Sequence, residues 1–107
     1  MTYTIHMLYL IKRKEAWYQL SNEEKNNITQ ETLTTTIRAG GKRLTLCDAT
    51  WAASDCEFFE LTECEDMVAV QKRIDFYEQA EIFRYYEIST ILGSELPQTC
   101  HDDIHVE

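Results

Sequence analysis

With 107 residues the chain has room for one hydrophobic core, and a composition of 44% hydrophobic and 27% charged residues excludes wholesale disorder. Ten Lys and Arg stand against nineteen Asp and Glu, a net charge of −9 concentrated in residues 55–107; a field of that sign repels nucleic acid and anionic membranes. No apolar run nears the roughly 18 residues of a membrane span, and the N-terminus lacks the pattern of a secretory signal, so a cytoplasmic location is expected.

The first predicted strand is Thr2–Ile11. Side chains alternate faces along a strand, so Tyr3, Ile5, Met7, Tyr9 and Ile11 share an apolar face. Thr2, Thr4, His6, Leu8 and Leu10 share the other, half apolar with one imidazole. Both faces therefore need a cover. A short connector, Glu15–Leu20, carries Trp17, Tyr18 and Leu20. Ser21 and Glu24 then form a capping-box pattern that opens a helix, and Gly40-Gly41 closes it after Arg38 or Ala39.

A second strand runs from Lys42 to about Trp51, with Leu44, Leu46 and Asp48 on one face and Cys47, Ala49 and Trp51 on the other. A short connection, 52–55, leads to a third strand, Cys56–Leu61, as an antiparallel hairpin. Thr62 and Glu65 read as a second capping box, and Met67, Val70, Ile74 and Tyr77 as the apolar stripe of a second helix. Ala80–Arg84 is a turn or short helical piece. Tyr85–Leu92 is the fourth strand, which Gly93 ends, and a polar tail follows Pro97. Strand, helix, strand, strand, helix, strand is the ferredoxin-like βαββαβ order: a four-stranded antiparallel sheet with two helices on one face. Residues 1–96 form this α+β domain and 97–107 the tail. Two helices cover one sheet face only, so the uncovered apolar face predicts a homodimer, a dimeric α+β barrel.

Thr2-Tyr3-Thr4-Ile5 with Met7-Leu8, Glu15-Ala16-Trp17 leading to Leu20, Asp48-Ala49, Phe59-Glu60 with Thr62, and Ala80–Ile88 together resemble the darcynin family. The resemblance covers roughly residues 2–95 and implies a small ferredoxin-like α+β barrel with no established general function. His6 departs from it, standing where that family is expected to have an aromatic or apolar residue.

His6 is the leading candidate for proton transfer, since imidazole titrates near neutrality; Glu57 or Glu60 on the adjacent third strand would fix its tautomer. Its bland alternative is a hydrogen-bonded structural histidine. Tyr77, Tyr85, Tyr86 and Glu87 are candidate assistants, and Trp17, Asp48, Trp51 and Phe83 candidate pocket residues for a flat ligand; each is otherwise core or surface. His101, Asp102, Asp103 and His105 resemble metal ligands only in composition, and no metal or cofactor is expected. Cys47, Cys56, Cys64 and Cys100 contain no C-x-x-C pair of the zinc or redox kind, and without a secretory signal disulfides are not expected. The expectation is a cofactor-free cyclase or isomerase acting on an enolisable, polyketide-like or aromatic small molecule in secondary metabolism. The alternatives are a non-catalytic ligand-binding or structural dimer, and a cofactor-independent monooxygenase.

Overall fold

The computed structural model describes residues 4–52 and 55–96; Tyr3, the connection at 53–54 and the tail at 97–107, with its two histidines and Cys100, lie outside them. The elements in chain order are β1 (Ile5–Arg13), α1 (Glu15–Tyr18), α2 (Asn22–Arg38), β2 (Gly41–Asp48), β3 (Phe58–Cys64), α3 (Met67–Gln79), a tight helical turn over Ile82–Arg84, and β4 (Tyr86–Ser94). The strands form one antiparallel sheet in the order β2-β3-β1-β4, which is the ferredoxin-like α+β arrangement. Among the described residues no helix is long and apolar enough to cross a membrane.

The first helix boundary is the expected one. Ser21 Oγ accepts from the Glu24 amide at 3.1 Å while Glu24 Oε1 accepts from the Ser21 amide at 3.1 Å, a complete capping box. Gly40, at φ +93°, ends the helix in a conformation that glycine adopts without a Cβ penalty. The second boundary differs. Thr62, Glu63 and Cys64 continue β3, with Met7 opposite Thr62 and Ile5 opposite Cys64. The cap of α3 is Asp66, whose Oδ1 accepts from the Ala69 amide at 2.9 Å. The Thr-x-x-Glu spacing also fits a strand that alternates a buried Thr with an outward Glu, and pairing to β1 decides for the strand. Gly93 does not end β4, which pairs with β1 as far as Ser94.

The core lies between the sheet and the helices. Met7, Tyr9 and Cys64 from the strands pack with Ala69, Val70 and Tyr77 from α3 and with Ile82. Met67 and Val68 are exposed, so the buried face of α3 is Ala69, Val70, Arg73 and Tyr77. Among the described residues no helix lies on the opposite sheet face. There the register lines up Thr45, Leu61, Leu8 and Ile91 in one row and Cys47, Phe59, Leu10 and Ser89 in the next. These apolar rows are flanked by Lys42, Glu63 and His6 at one end and by Lys12 and Glu87 at the other.

Candidate functional site

Alternation along β1 and β3 turns Tyr9, Ile11, Phe58, Glu60 and Thr62 toward the helices. Between this end of the sheet and Ile28, Thr29 and Thr32 of α2 lies a cavity of about 220 Å³. Ile11, Ile28, Ile82 and Ile88 make much of its wall, with Trp17, Tyr77 and Tyr86 as aromatic panels and Arg13, Arg43 and Glu60 as charged ones. The Trp17 and Tyr86 rings lie 5.0 Å apart between centroids, and Lys25 Nζ is 5.7 Å from the Trp17 ring on the helix side.

The charged side of the cavity is a buried network centred on Glu60, which is only 3% exposed. Its Oε1 accepts from Arg73 Nη2 and from Thr62 Oγ1, the latter at 2.8 Å, and its Oε2 accepts from Arg43 Nε at 3.1 Å. Arg73, 1% exposed, also donates through Nη1 to Thr62 Oγ1 at 3.0 Å and to Met7 Sδ at 3.6 Å, and through Nη2 to the Tyr77 hydroxyl at 3.2 Å. Its guanidinium lies 4.5 Å from the centroid of the Tyr9 ring, a cation–π contact that helps offset the loss of water. Arg73 Nε has no partner among the described residues.

Burial pushes the Glu60 carboxyl up, but Arg73, Thr62 and Arg43 together more than offset it and hold the group below the ordinary carboxylate range. Burial likewise opposes the charge on Arg73, and Tyr77 and Glu60 outweigh it. The hydroxyls of Tyr77 and Tyr86 are pushed up by burial, Tyr86 to about 12. Glu57 sits lower than an ordinary carboxyl because Arg13 bonds it through both side chain and backbone, at 3.2 and 2.7 Å.

Of the candidate catalytic and pocket residues read from the sequence, the structure brings Trp17, Tyr77 and Tyr86 to this cavity and leaves the others away from its wall, while Glu60, expected beside His6, lines it instead. His6 projects from the uncovered sheet face, where its β3 partner is Glu63. Glu60 faces the other way and Glu57 is bonded to Arg13, so neither fixes the His6 tautomer. Phe83, 40% exposed, packs edge-on against Tyr77 behind the cavity wall at 5.9 Å between centroids. Tyr85 is half-buried, with Arg84 5.8 Å from its ring, and Glu87 is exposed on the His6 side of the sheet. Asp48 closes β2 as a turn, accepting from the Thr50 amide at 2.9 Å and hydroxyl at 2.6 Å, bonds that lower its pKa. Trp51 is 84% exposed.

Arg73 and Arg43 escaped sequence reasoning because isolated basic residues read as solvated. The available signal was position: Arg73 falls between Val70 and Tyr77 at spacings of three and four, inside the buried stripe.

No family model and no curated protein matches the chain. Solved structures do. Chlorite dismutase from Candidatus Nitrospira defluvii in complex with imidazole has a TM-score of 0.71 at 22% identity, over 89% of this chain and 41% of that one. A variant of the same protein in complex with cyanide has a TM-score of 0.69 at 20% identity, over 91% and 42%. A protein whose assignment as a chlorite dismutase is provisional gives 0.71 at 16% identity, over 99% and 50%. The chain thus spans at most half the length of these neighbours, and at such identities the likeness carries the fold alone. None of these neighbours is named as a darcynin.

These neighbours are chlorite dismutases, not cyclases or isomerases, which overturns the expectation of a cofactor-free cyclase or isomerase. They lend no support to a cofactor-independent monooxygenase either. The proposed division of labour fails on geometry as well, since His6 and the cavity tyrosines lie on opposite sheet faces. Imidazole and cyanide both coordinate transition metals, which makes the fit of a metal centre worth testing. Haem iron is held by His, Cys, Met or Tyr. Of these, the described residues of the cavity wall offer only Tyr77 and Tyr86, whose raised pKa values oppose the phenolate that a metal takes. Among the described residues no group of three or more His, Cys, Asp or Glu is placed to hold a metal. The described residues do not fit such a group.

Proposed function

We propose that the protein binds a small molecule in the cavity between the sheet and α2, and that it works as a homodimer joined through the uncovered sheet faces. The observation that carries the binding reading is the contrast in the cavity wall: isoleucine and aromatic side chains over most of it, with a buried Arg–Glu–Arg network along one side. Apolar pockets with a few fixed polar groups are how proteins take up small ligands. At about 220 Å³ the space is below the ~300–1,000 Å³ usual for drug-sized molecules, so the ligand is smaller than those. The dimer reading rests on the two apolar rows around Leu8 and Leu10, a self-complementary patch that a second copy covers across a two-fold axis. Membership of the darcynin family belongs to this proposal, supported by the ordered residue matches along the chain.

Methyl-labelled isoleucines test the binding reading, with indole as a neutral flat probe. Indole is expected to shift the methyl signals of Ile11, Ile28, Ile82 and Ile88 and to leave Ile91, on the other sheet face, in place; Thr32→Phe, which fills the cavity, is expected to abolish the shifts. No shift at the four cavity methyls overturns the reading. Sedimentation at micromolar concentration tests the assembly: a dimer is expected, converted to monomer by Leu8→Glu, and a monomeric parent protein overturns that part.

A further inference from the structure

We infer that the ligand of this cavity is a small monoanionic acid with a single-ring or branched apolar body, and that Arg43 is the residue that binds its acid group. This rests on the binding reading above and specifies the ligand class.

Charge and unused donors point to this ligand. Among the described residues the ion-paired side chains at and behind the cavity wall are Arg13, Glu57, Arg43, Glu60 and Arg73, three cations and two anions, and Lys25 lies outside that set against the Trp17 ring. Arg13 and Glu57 neutralise each other, with Arg13 Nε and Nη2 on the two Glu57 oxygens at 3.2 and 3.4 Å. Glu60 is shared between two arginines, which leaves one positive charge in excess. Arg73 is the inner arginine, with both terminal nitrogens occupied by Glu60, Thr62, Tyr77 and Met7. Arg43 is the outer one. Its side chain is 26% exposed and lines the cavity, and among the described residues its single bond is from Nε to Glu60. Its two terminal nitrogens are therefore available, and a guanidinium presents them as a planar fork suited to a carboxylate. Glu60 holds the fork from behind, as a fixed rather than a mobile donor.

The rest of the wall limits the partner. The isoleucine and aromatic surface requires an apolar body, and the small volume restricts that body to one ring or its branched equivalent. One excess positive charge inside a protein of net charge −9 favours a single negative charge over several.

Benzoate, benzamide and acetate separate these requirements, measured by calorimetry on the full chain. The parent protein is expected to bind benzoate about tenfold or more tightly than benzamide, the range a charge-assisted hydrogen bond supplies, and to bind acetate more weakly than benzoate. Arg43→Gln is expected to bring the benzoate and benzamide constants together, and Arg43→Lys to retain part of the difference. Equal binding of benzoate and benzamide by the parent protein overturns the inference while leaving the cavity reading intact. So does failure of both to bind when indole still shifts the cavity methyls; failure of all three overturns both readings. Acetate binding as tightly as benzoate removes the apolar requirement. An Arg43→Gln protein that is folded by circular dichroism and keeps the preference removes Arg43 from the site. The comparison of ligands on the parent protein stands whatever the fate of the variants.

Discussion

Replacing Arg73 by Met tests the network that ties α3 to the sheet. The substitution keeps a long apolar side chain in place and removes the guanidinium, leaving Glu60 buried with only Thr62 and Arg43 to answer its charge. Breaking a buried ion pair from one side costs about 3–5 kcal/mol, because the remaining charge is uncompensated. Against a total on the order of 5–15 kcal/mol, that is a large fraction of the stability of a domain this size. At roughly 4–8 °C per kcal/mol, the midpoint of thermal unfolding should fall by at least about 12 °C. The pH dependence provides the sharper assay. In the parent protein the Glu60 carboxyl lies below its ordinary value. Its stabilisation is therefore full above the unfolded value near ~4.3 and is lost as the pH falls through the lower folded value. In Arg73→Met only Thr62 and Arg43 oppose the effect of burial, the largest single influence on this carboxyl, so the folded value is expected to rise above the unfolded one. The variant's deficit is then largest at neutral pH and shrinks as the pH falls to about 4 and Glu60 takes up a proton. Urea unfolding followed by far-UV circular dichroism at about pH 7 and pH 4 measures both. The double variant Arg73→Met, Glu60→Met is expected to be more stable than Arg73→Met alone, since no buried charge remains unanswered and Arg43 is partly hydrated. A deficit under about 1 kcal/mol at neutral pH, or one that does not change with pH, refutes the reasoning.

Three further outcomes follow from local geometry. Asp66→Ala removes the cap of α3 and should cost about 1 kcal/mol in urea unfolding with an unchanged slope. Gly40→Ala forces a side chain into a left-handed conformation, with its Cβ 3.0 Å from Glu65 Oε2, and should cost roughly 1–2 kcal/mol by the same measurement. In alkali, the unfolded chain loses tyrosine protons from about pH 10 while Tyr9, Tyr77 and Tyr86 hold theirs through burial. The folded state then binds more protons, so the thermal midpoint should fall as the pH rises above about 10, and mutating Tyr86→Phe should flatten that fall.

The alternation of β1, the Ser21 capping box and the glycine stop after α2 are local patterns, and they led directly to the sheet order and the helix-covered face. Three features were not legible for a common reason, that only tertiary pairing decides them. Thr62 and Glu65 satisfy a helix-start spacing, yet β1 claims Thr62 for the sheet. Glu60 alternates with apolar neighbours as an outward residue would, and only Arg73 arriving from α3 makes its burial tolerable. His6 stood out as a polar residue among apolar ones; the same alternation that buries Met7 and Tyr9 carries it away from the cavity. Aromatic residues fared unevenly: Trp17, Tyr77 and Tyr86 reached the wall because their own elements face it, whereas Trp51 follows the end of β2 and the described residues leave it exposed.

The position of β1 in the sheet also sets an order of events. It is the most N-terminal strand, yet both of its neighbours come late: Arg13 pairs with Tyr86 and Ile5 with Ser94, separations of 73 and 89 residues. Such distant contacts are slow to close, because the intervening loop loses its freedom before any pairing rewards it. At a synthesis rate of roughly 5–20 residues per second, several seconds pass between the emergence of Ile5–Arg13 and that of its last partner. Until then Met7 and Tyr9, buried in the finished domain, lack part of their cover. Within this sheet β1 is made before both of its partners and is enclosed only when the second of them arrives.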